Sequence, residues 1–152
     1  MNRAPASSTR RALLGVATLA PVWPRAALAQ ALPEVPALSA FLAGRPARME
    51  RVTLDIPRIA DNGNVVPVRL GVAGPFAAGA EVRSLHLFSE KNPVPQMAVF
   101  HFPLPVKRIE VESRVRLAGT QRVAAVATLA DGTLLAAVAE VIVTISACID
   151  GT

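Results

Sequence analysis

The chain has 152 residues, of which 52% are hydrophobic and 4% aromatic, and its single cysteine excludes an internal disulfide. Its formal net charge is +5, but four of the 16 basic residues lie within the first 29 residues, and the other 12 are nearly balanced by 11 acidic residues. The chain beyond residue 29 therefore lacks the basic surface that nucleic-acid binding requires, and we exclude that class of function.

Residues 1–29 predict a signal peptide for export by the twin-arginine route. The pair Arg10-Arg11 precedes an apolar run over residues 12–20, which is too short to cross a bilayer. Residues 27–29 supply the small side chains of a cleavage site, so Gln30 is the expected mature start. We therefore expect a periplasmic protein with no membrane association once the signal is removed.

Residues 30–48 are rich in proline and predict a surface leader or linker, with one short helical turn around Leu38 to Leu42. From Met49 onward, short β-branched runs are separated by turn residues and predict strands. The predicted strands are 51–56, 65–72, 82–88, 97–102, 108–117, 122–129 and 134–145. Residues 61–64 and 130–133 predict turns. Pro67 has no amide donor and favours a sheet edge or a strand start.

This regular spacing of short strands is typical of an all-β fold. We expect one domain over residues 49–145, an immunoglobulin-like antiparallel β-sandwich of about seven strands. Residues 146–152 then form a C-terminal arm that carries Cys148.

The sequence offers no catalytic motif and favours no metal site. His86, His101 and Cys148 could in principle bind copper, but no two of them have close ligand spacing. If Phe100 and Phe102 share one sheet face, His101 takes the other, so surface or hydrogen-bonded histidines are favoured over ligands. No serine lies in a nucleophile-elbow motif. We expect a protein that is not an enzyme and holds no metal or cofactor.

Cys148 is therefore the candidate for chemistry, because an exposed thiol near a chain end can act as a nucleophile. Ser146 and Ala147 are small and would let the cleft of another protein approach the sulfur, whereas Ile149 is bulky and Asp150 adds negative charge. Three roles are open on these grounds: a reactive carrier thiol, an intermolecular disulfide partner, or an inert end of the last strand.

Several stretches of the chain, in order, carry a resemblance to a known family. They are residues 61–67, residues 92–95 with 98–102, residues 113–121 with 126–127 and 131–132, and residues 140–145 leading to Cys148. In these stretches the chain resembles SoxY, the sulfur-carrying subunit of the SoxYZ complex of periplasmic thiosulfate oxidation. The resemblance extends from about Arg51 to Cys148, and the predicted export signal agrees with it.

The resemblance implies an immunoglobulin-like sandwich that forms a heterodimer with a SoxZ-like subunit. It also implies that Cys148 covalently carries a sulfur compound, thiosulfate-like or related, which periplasmic sulfur-oxidation enzymes then process. SoxY arms read Gly-Gly-Cys-Gly-Gly, whereas the neighbours here are Ser146, Ala147, Ile149 and Asp150. This arm is similar to that of a SoxY-related subgroup that reads Ala-Ala-Cys-Ile-Glu, which favours a carrier with partner enzymes of its own.

Two alternatives stay open at this point. The bulkier and more acidic arm is compatible with a SoxY-derived heterodimerising interaction module that does not carry thiosulfate. The other alternative is a small redox or metal-binding periplasmic protein that uses His86, His101 and Cys148.

Overall fold

The computed structural model describes residues 31–106 and 108–146, which form a two-layer β-sandwich with one short helix. The helix is α1 (Pro36–Leu42), and the described strands are β1 (Ala47–Arg48), β2 (Val52–Asp55), β3 (Ile59–Asn62), β4 (Val66–Val72), β5 (Val82–Ser89), β6 (Gln96–His101), β7 (Ile109–Val115), β8 (Gln121–Leu129) and β9 (Leu134–Ile145). The predicted all-β sandwich is confirmed. Among these residues, no helix has the length and apolar character needed to cross a membrane.

All seven predicted strands are present, and β1 and β3 are additional. The prediction of a turn over residues 61–64 is partly wrong, because Asp61 and Asn62 end β3 and pair along β9. β3 has four residues and pairs only with β9 among the described strands, so its formation depends on that neighbour more than on its own sequence pattern. Only Gly63 and Asn64 remain in the turn.

The larger sheet has the strand order β1-β9-β8-β5-β6, and β3 also pairs with β9. β8 and β9 form a long antiparallel hairpin, in which Gly132 adopts a φ of 84° that glycine accepts without a steric cost. β1 pairs with the beginning of β9 and β3 with its end, both in parallel. These two pairings depart from the purely antiparallel arrangement that the sequence predicts.

The smaller sheet has the order β2-β4-β7 and is antiparallel throughout. Pro67 is the second residue of β4, so its predicted place at a strand start is confirmed. The alternative of an edge strand is wrong, because β4 lies in the centre of this sheet. β2 ends opposite Arg69, and Pro67 therefore pairs only with Arg114 of β7.

The main core lies between the two sheets. Alternate residues of β4 point inward, as the sequence pattern predicts, and those of β5 meet them from the other sheet. The most completely buried large side chains of this core include Val66, Leu70, Leu85, Leu87 and Leu117. Since each buried aliphatic side chain stabilises the fold by about 1.5–3 kcal/mol, this core accounts for much of the stability of the sandwich.

A second core lies on the outer face of the larger sheet, where α1 covers it. Pro36 occupies the first turn of the helix, where a missing amide costs no hydrogen bond. Leu38 is 1% exposed and belongs to the same cluster as Phe88 and Val126 of the sheet. The helical turn predicted around Leu38 is therefore confirmed and longer than expected, and this segment forms a third packed layer.

Candidate functional site at the root of the C-terminal arm

β9 carries the chain out of the sandwich and delivers it to Ser146, which is exposed. Ser146 is the only one of the predicted arm residues that the structure describes. Cys148, Ala147, Ile149 and Asp150 lie outside the described residues. Cys148 follows Ser146 by two positions, so the surroundings of Ser146 determine where the candidate thiol is attached to the fold.

One edge of the end of β9 is held by β3 and by the turn that follows it. The amide of Gly63 donates to the carbonyl of Ile145 at 2.8 Å. The hydroxyl of Thr144 donates to the carbonyl of Asp61 at 2.9 Å. These bonds extend the β3–β9 pairing, in which Asn62 lies opposite Ile145, to the last residue of the strand.

The other edge is held by the loop between β7 and β8. The β8–β9 pairing reaches Val141 and goes no further, so the next amide on that edge needs another acceptor. The hydroxyl oxygen of Thr120 accepts the hydrogen bond from the Val143 amide at 3.0 Å. The loop also approaches Ser146 closely, since a Cβ on Gly119 would lie 3.5 Å from its Oγ. We call residues 61–63 and 117–120 the arm-root collar.

The two halves of the arm-root collar are bonded to each other and to the loop before β6. The amide of Leu117 donates to the carbonyl of Gly63 at 2.8 Å. Asn92 donates to the carbonyl of Arg116 at 2.8 Å, and its Oδ1 accepts from the amide of Ala118 and from Nε2 of Gln121, both at 3.0 Å. Three hydrogen bonds from one side chain therefore fix the position of the β7–β8 loop.

The arm-root collar explains several sequence stretches that carried no function in the sequence alone. Residues 61–67, 92–95 and 113–121 are far apart in the chain, and the structure brings them together around the end of β9. No motif in the sequence points to a role for Asn92 or Thr120. An asparagine before a proline is a turn signal, and nothing in it shows which distant loop its amide will bind.

The surface near the arm root is rich in exposed aliphatic side chains. Ile59 and Ile142 face each other in the β3–β9 register, and Ile145 is 65% exposed at the strand end. Val65, which follows the collar turn, is 59% exposed. Ile142 and Ile145 are three positions apart on one strand and point to opposite faces, so the apolar surface that the described residues form here is the Ile59–Ile142 pair.

An ion pair lies close to the network of Asn92. Glu90 and Arg122 are 2.8 Å apart, and the carboxylate also accepts from the Arg122 amide at 3.0 Å. The hydrogen bond from the guanidinium of Arg122 lowers the pKa of Glu90, and the same bond raises the pKa of Arg122. The pair joins the end of β5 to the beginning of β8.

His86 is a buried structural residue, which confirms the hydrogen-bonded reading of this histidine. Its Nδ1 lies 2.9 Å from Nε2 of Gln96, and its Nε2 lies 2.8 Å from Oγ of Ser84. Since the amide of Gln96 donates to Nδ1, the ring proton is on Nε2 and is donated to Ser84. Burial lowers the pKa of His86, with a smaller effect from His101, so the ring is neutral near pH 7.

The sequence did not predict the hydrogen bond between Ser84 and His86. Residues two positions apart on a strand share a face, but whether their side chains bond depends on rotamers that the sequence does not show. The pair resembles the first two members of a hydrolase triad, but its proton is on the wrong nitrogen for a general base. Both residues are 8% exposed, and the ring of Phe41 packs on His86 with centroids 4.3 Å apart. The arrangement stabilises the contact between α1 and the sheet.

His101 is exposed, as predicted, and its ring centroid lies 6.4 Å from that of His86. Over residues 31–106 and 108–146, no three side chains of histidine, cysteine, aspartate or glutamate cluster as a metal site requires. The proposed copper set of His86, His101 and Cys148 includes a residue outside these ranges. The two histidines by themselves do not form such a site.

A cavity of about 860 Å³ lies on the smaller sheet, far from the arm root. Gly71 forms part of its floor, and its rim includes Phe76, Val106 and Arg108. These residues lie where β4 ends and β7 begins, whereas the arm-root collar is at the opposite end of the same strands. The cavity and the arm-root collar therefore lie at opposite ends of the sandwich.

The chain matches the family model described as sulfur oxidation protein SoxY over residues 38–148. It is similar to the solved structure of the sulfur carrier protein SoxY from Chlorobium limicola f. thiosulfatophilum, with 33% identity, 72% of this chain and 94% of that chain covered, and a TM-score of 0.60. A comparison with curated proteins gave no match.

Superoxide reductases share the fold at much lower identity. The enzyme from Nanoarchaeum equitans has 12% identity and a TM-score of 0.52, with 63% of this chain and all of that chain covered. A putative superoxide reductase from Thermotoga maritima has 13% identity and a TM-score of 0.52, with 62% and 87% covered. At this identity the likeness shows the sandwich architecture alone. The family model, in contrast, matches the sequence from within α1 through the end of β9, and the chain therefore belongs to the SoxY family.

Proposed function

We propose that this chain is a periplasmic carrier of a sulfur compound, which it holds covalently on Cys148 and presents to partner enzymes of sulfur oxidation. The observation that carries the proposal is that the family match extends to residue 148, which is the only cysteine of the chain. The similar protein from Chlorobium limicola is described as a sulfur carrier. The substrate is thiosulfate or a related reduced sulfur anion.

The chemistry assigned to Cys148 needs a redox partner. When the thiolate and a reduced sulfur anion are joined by a new S–S bond, two electrons are released from the pair, and an electron-accepting enzyme must take them up. A later enzyme must cleave the adduct to restore the free thiol. We therefore assign catalysis to the partner enzymes, and this chain needs no cofactor beyond the covalent adduct.

The geometry at the arm root supports a carrier function. Hydrogen bonds hold the last residues of β9 on both edges of the strand, so the attachment point of the arm is a fixed part of the sandwich. A fixed attachment point lets one protein body present the same sulfur in the same place to several enzymes in turn. Residues 146–152 act as the arm, and residues 49–145 as the body that supports it.

A SoxZ-like subunit is the proposed heterodimer partner. Ile59 and Ile142, which are register partners on β3 and β9 and are both exposed, give this pair of strands an apolar surface that supports contact with another protein. Native mass spectrometry of the untagged complex from the host measures the partner directly. A single second subunit of SoxZ size is expected, and a protein recovered only as a monomer or a homo-oligomer contradicts this part of the proposal.

Periplasmic location follows from the proposed twin-arginine signal over residues 1–29. Replacing Arg10 and Arg11 by lysine is expected to leave the precursor in the cytoplasm, whereas the unchanged protein is recovered from the periplasm with Gln30 at its N-terminus. Export of the double-lysine variant at the normal rate contradicts the proposed route.

The decisive experiment is an intact mass of the protein purified from its own periplasm during growth on a reduced sulfur compound. The expected result is an added mass of one or more sulfur atoms that a reducing agent removes and that Cys148→Ser abolishes. Ser146→Ala is the matched control and should keep the adduct. A heterodimer that forms normally but never bears an adduct favours the alternative of an interaction module.

A further inference from the structure

We infer that Thr120 is a positioning residue that sets the place at which the arm leaves the sandwich, and so the length of chain between the folded strand and Cys148. The inference rests on the proposed function of Cys148 as the attachment point. It concerns the described residues at the end of β9. Thr120 itself touches neither the thiol nor any substrate in this role.

The first step is that the end of β9 depends on supports other than the main sheet. The β8–β9 register stops at Gln121 opposite Val141, four residues before the end of β9. Beyond that point, the backbone partner of β9 is β3, which pairs with no other strand of the described chain. A two-stranded ribbon is marginally stable by itself in water, so the burial of Val143 in the main core and the hydrogen bond on the remaining edge both help to keep it closed.

The second step is that Thr120 occupies this remaining edge. Its hydroxyl oxygen takes the place that a β8 carbonyl would have taken, and accepts from the amide of Val143 at 3.0 Å. Thr120 is held there because Asn92 binds the same loop at Arg116 and Ala118. The side chain of Thr120 thus provides the hydrogen-bond acceptor for the end of β9 on the edge that β8 does not reach.

The third step is the effect on reach. With β9 intact through Ile145, Cys148 is two positions after Ser146, which limits their Cα distance to about 7 Å. If β9 opened back to Val141, the free chain would begin at Ile142 and would gain four residues, or up to about 13 Å of reach. The hydrogen bond at Thr120 therefore favours a short arm over a long one.

A disulfide trap measures this reach. Glu140 is an exposed residue of β9, six positions before Ser146, so about 20 Å of extended strand separates the two Cα atoms. A disulfide needs its Cα atoms within about 7 Å, so a Cys148 attached at Ser146 reaches at most about 14 Å. In Glu140→Cys protein, the disulfide between Cys148 and the introduced thiol consequently forms only in molecules whose strand end has opened.

The experiment compares oxidation rates in four proteins that all carry Glu140→Cys. Thr120→Val, which keeps the shape and removes the acceptor, is expected to form the disulfide about fivefold faster than the parent. Thr120→Ser keeps the hydroxyl, and its rate of disulfide formation should match that of the parent. Thr53→Val, at the other end of the sandwich, is the control and should also match it.

Two results overturn the inference. One is a trap rate in Thr120→Val within twofold of the parent, and the other is an equal acceleration in Thr53→Val. The unfolding midpoint of each protein is measured alongside, because a purely structural role would lower the midpoint without changing the trap rate. The trap uses no sulfur substrate. Its outcome is therefore independent of whether the adduct is found on Cys148.

Discussion

Replacement of Leu38 by alanine tests whether α1 is a structural layer or a detachable leader. Leu38 is 1% exposed and packs against the outer face of the larger sheet, together with Phe88, Val126 and Leu134. The substitution removes three side-chain carbons, whose transfer to water costs about 2.4 kcal/mol at about 0.8 kcal/mol each. The cavity adds to this loss, but a seven-residue outer helix can shift to fill part of it.

We therefore expect Leu38→Ala to lower the free energy of unfolding by about 2–3 kcal/mol. For a domain of this size, the midpoint of thermal unfolding should fall by about 10 °C. Far-ultraviolet circular dichroism is the suitable probe, because the chain has no tyrosine and its one tryptophan, Trp23, lies in the predicted signal. Urea unfolding of the mature protein then gives the free energy and its dependence on denaturant.

Ser39→Ala is the matched control, since Ser39 lies on the exposed side of the same helix. Its unfolding free energy should stay within about 0.5 kcal/mol of the parent. A loss of unfolding free energy below about 0.5 kcal/mol for Leu38→Ala would refute the reasoning, because it would show that the burial of Leu38 does not stabilise the folded state. A smaller denaturant dependence in Leu38→Ala would show that α1 separates before the sandwich unfolds.

Three further predictions concern charge and backbone. Burial lowers the pKa of His86, so its neutral form stabilises the fold above the ordinary histidine pKa, and this contribution should be lost as the pH falls through the folded pKa. His86→Gln should therefore reduce the fall in the unfolding midpoint between pH 7 and pH 5. A fall as large as that of the parent would count against this cause. A double-mutant cycle on Glu90 and Arg122 should give a coupling of about 0.5–1 kcal/mol that shrinks in 1 M salt, and a coupling insensitive to salt would contradict the electrostatic origin. Gly132→Ala should destabilise the protein by about 1 kcal/mol in urea unfolding, because φ there is 84°, and a neutral result would show that the turn can change its conformation.

The sequence pattern predicted the sandwich well because alternation of polar and apolar residues reports directly which face of a strand is buried. Residues 66–72 show this alternation clearly, and their burial follows it. The outer helical layer was harder to predict. Its signal was present in β8, where residues 123–127 are apolar in succession and all are buried, as expected of a strand covered on both faces.

The candidate site was predictable only in part. Residue type and position identified Cys148, which lies outside the described residues, so its role stays a prediction. The arm-root collar could not be derived from local pattern, because the contacts of Asn92 and Thr120 join segments that are more than 20 residues apart. Local propensity determines where in the sequence a loop occurs, whereas tertiary packing determines which distant segment that loop contacts.

The parallel pairing of β1 and β3 with β9 has a consequence for assembly. An open strand edge is a template on which another polypeptide can add its own strand. The chain from residue 47 to 62 occupies both ends of the β9 edge and crosses to the other sheet between them as β2. Within the described residues, β6 (Gln96–His101) forms the opposite border of the larger sheet and pairs with β5 on one side, and it is longer than β1 or β3. A polypeptide that lengthened the larger sheet by strand addition would therefore pair with β6, because the β9 edge is already covered by β1 and β3.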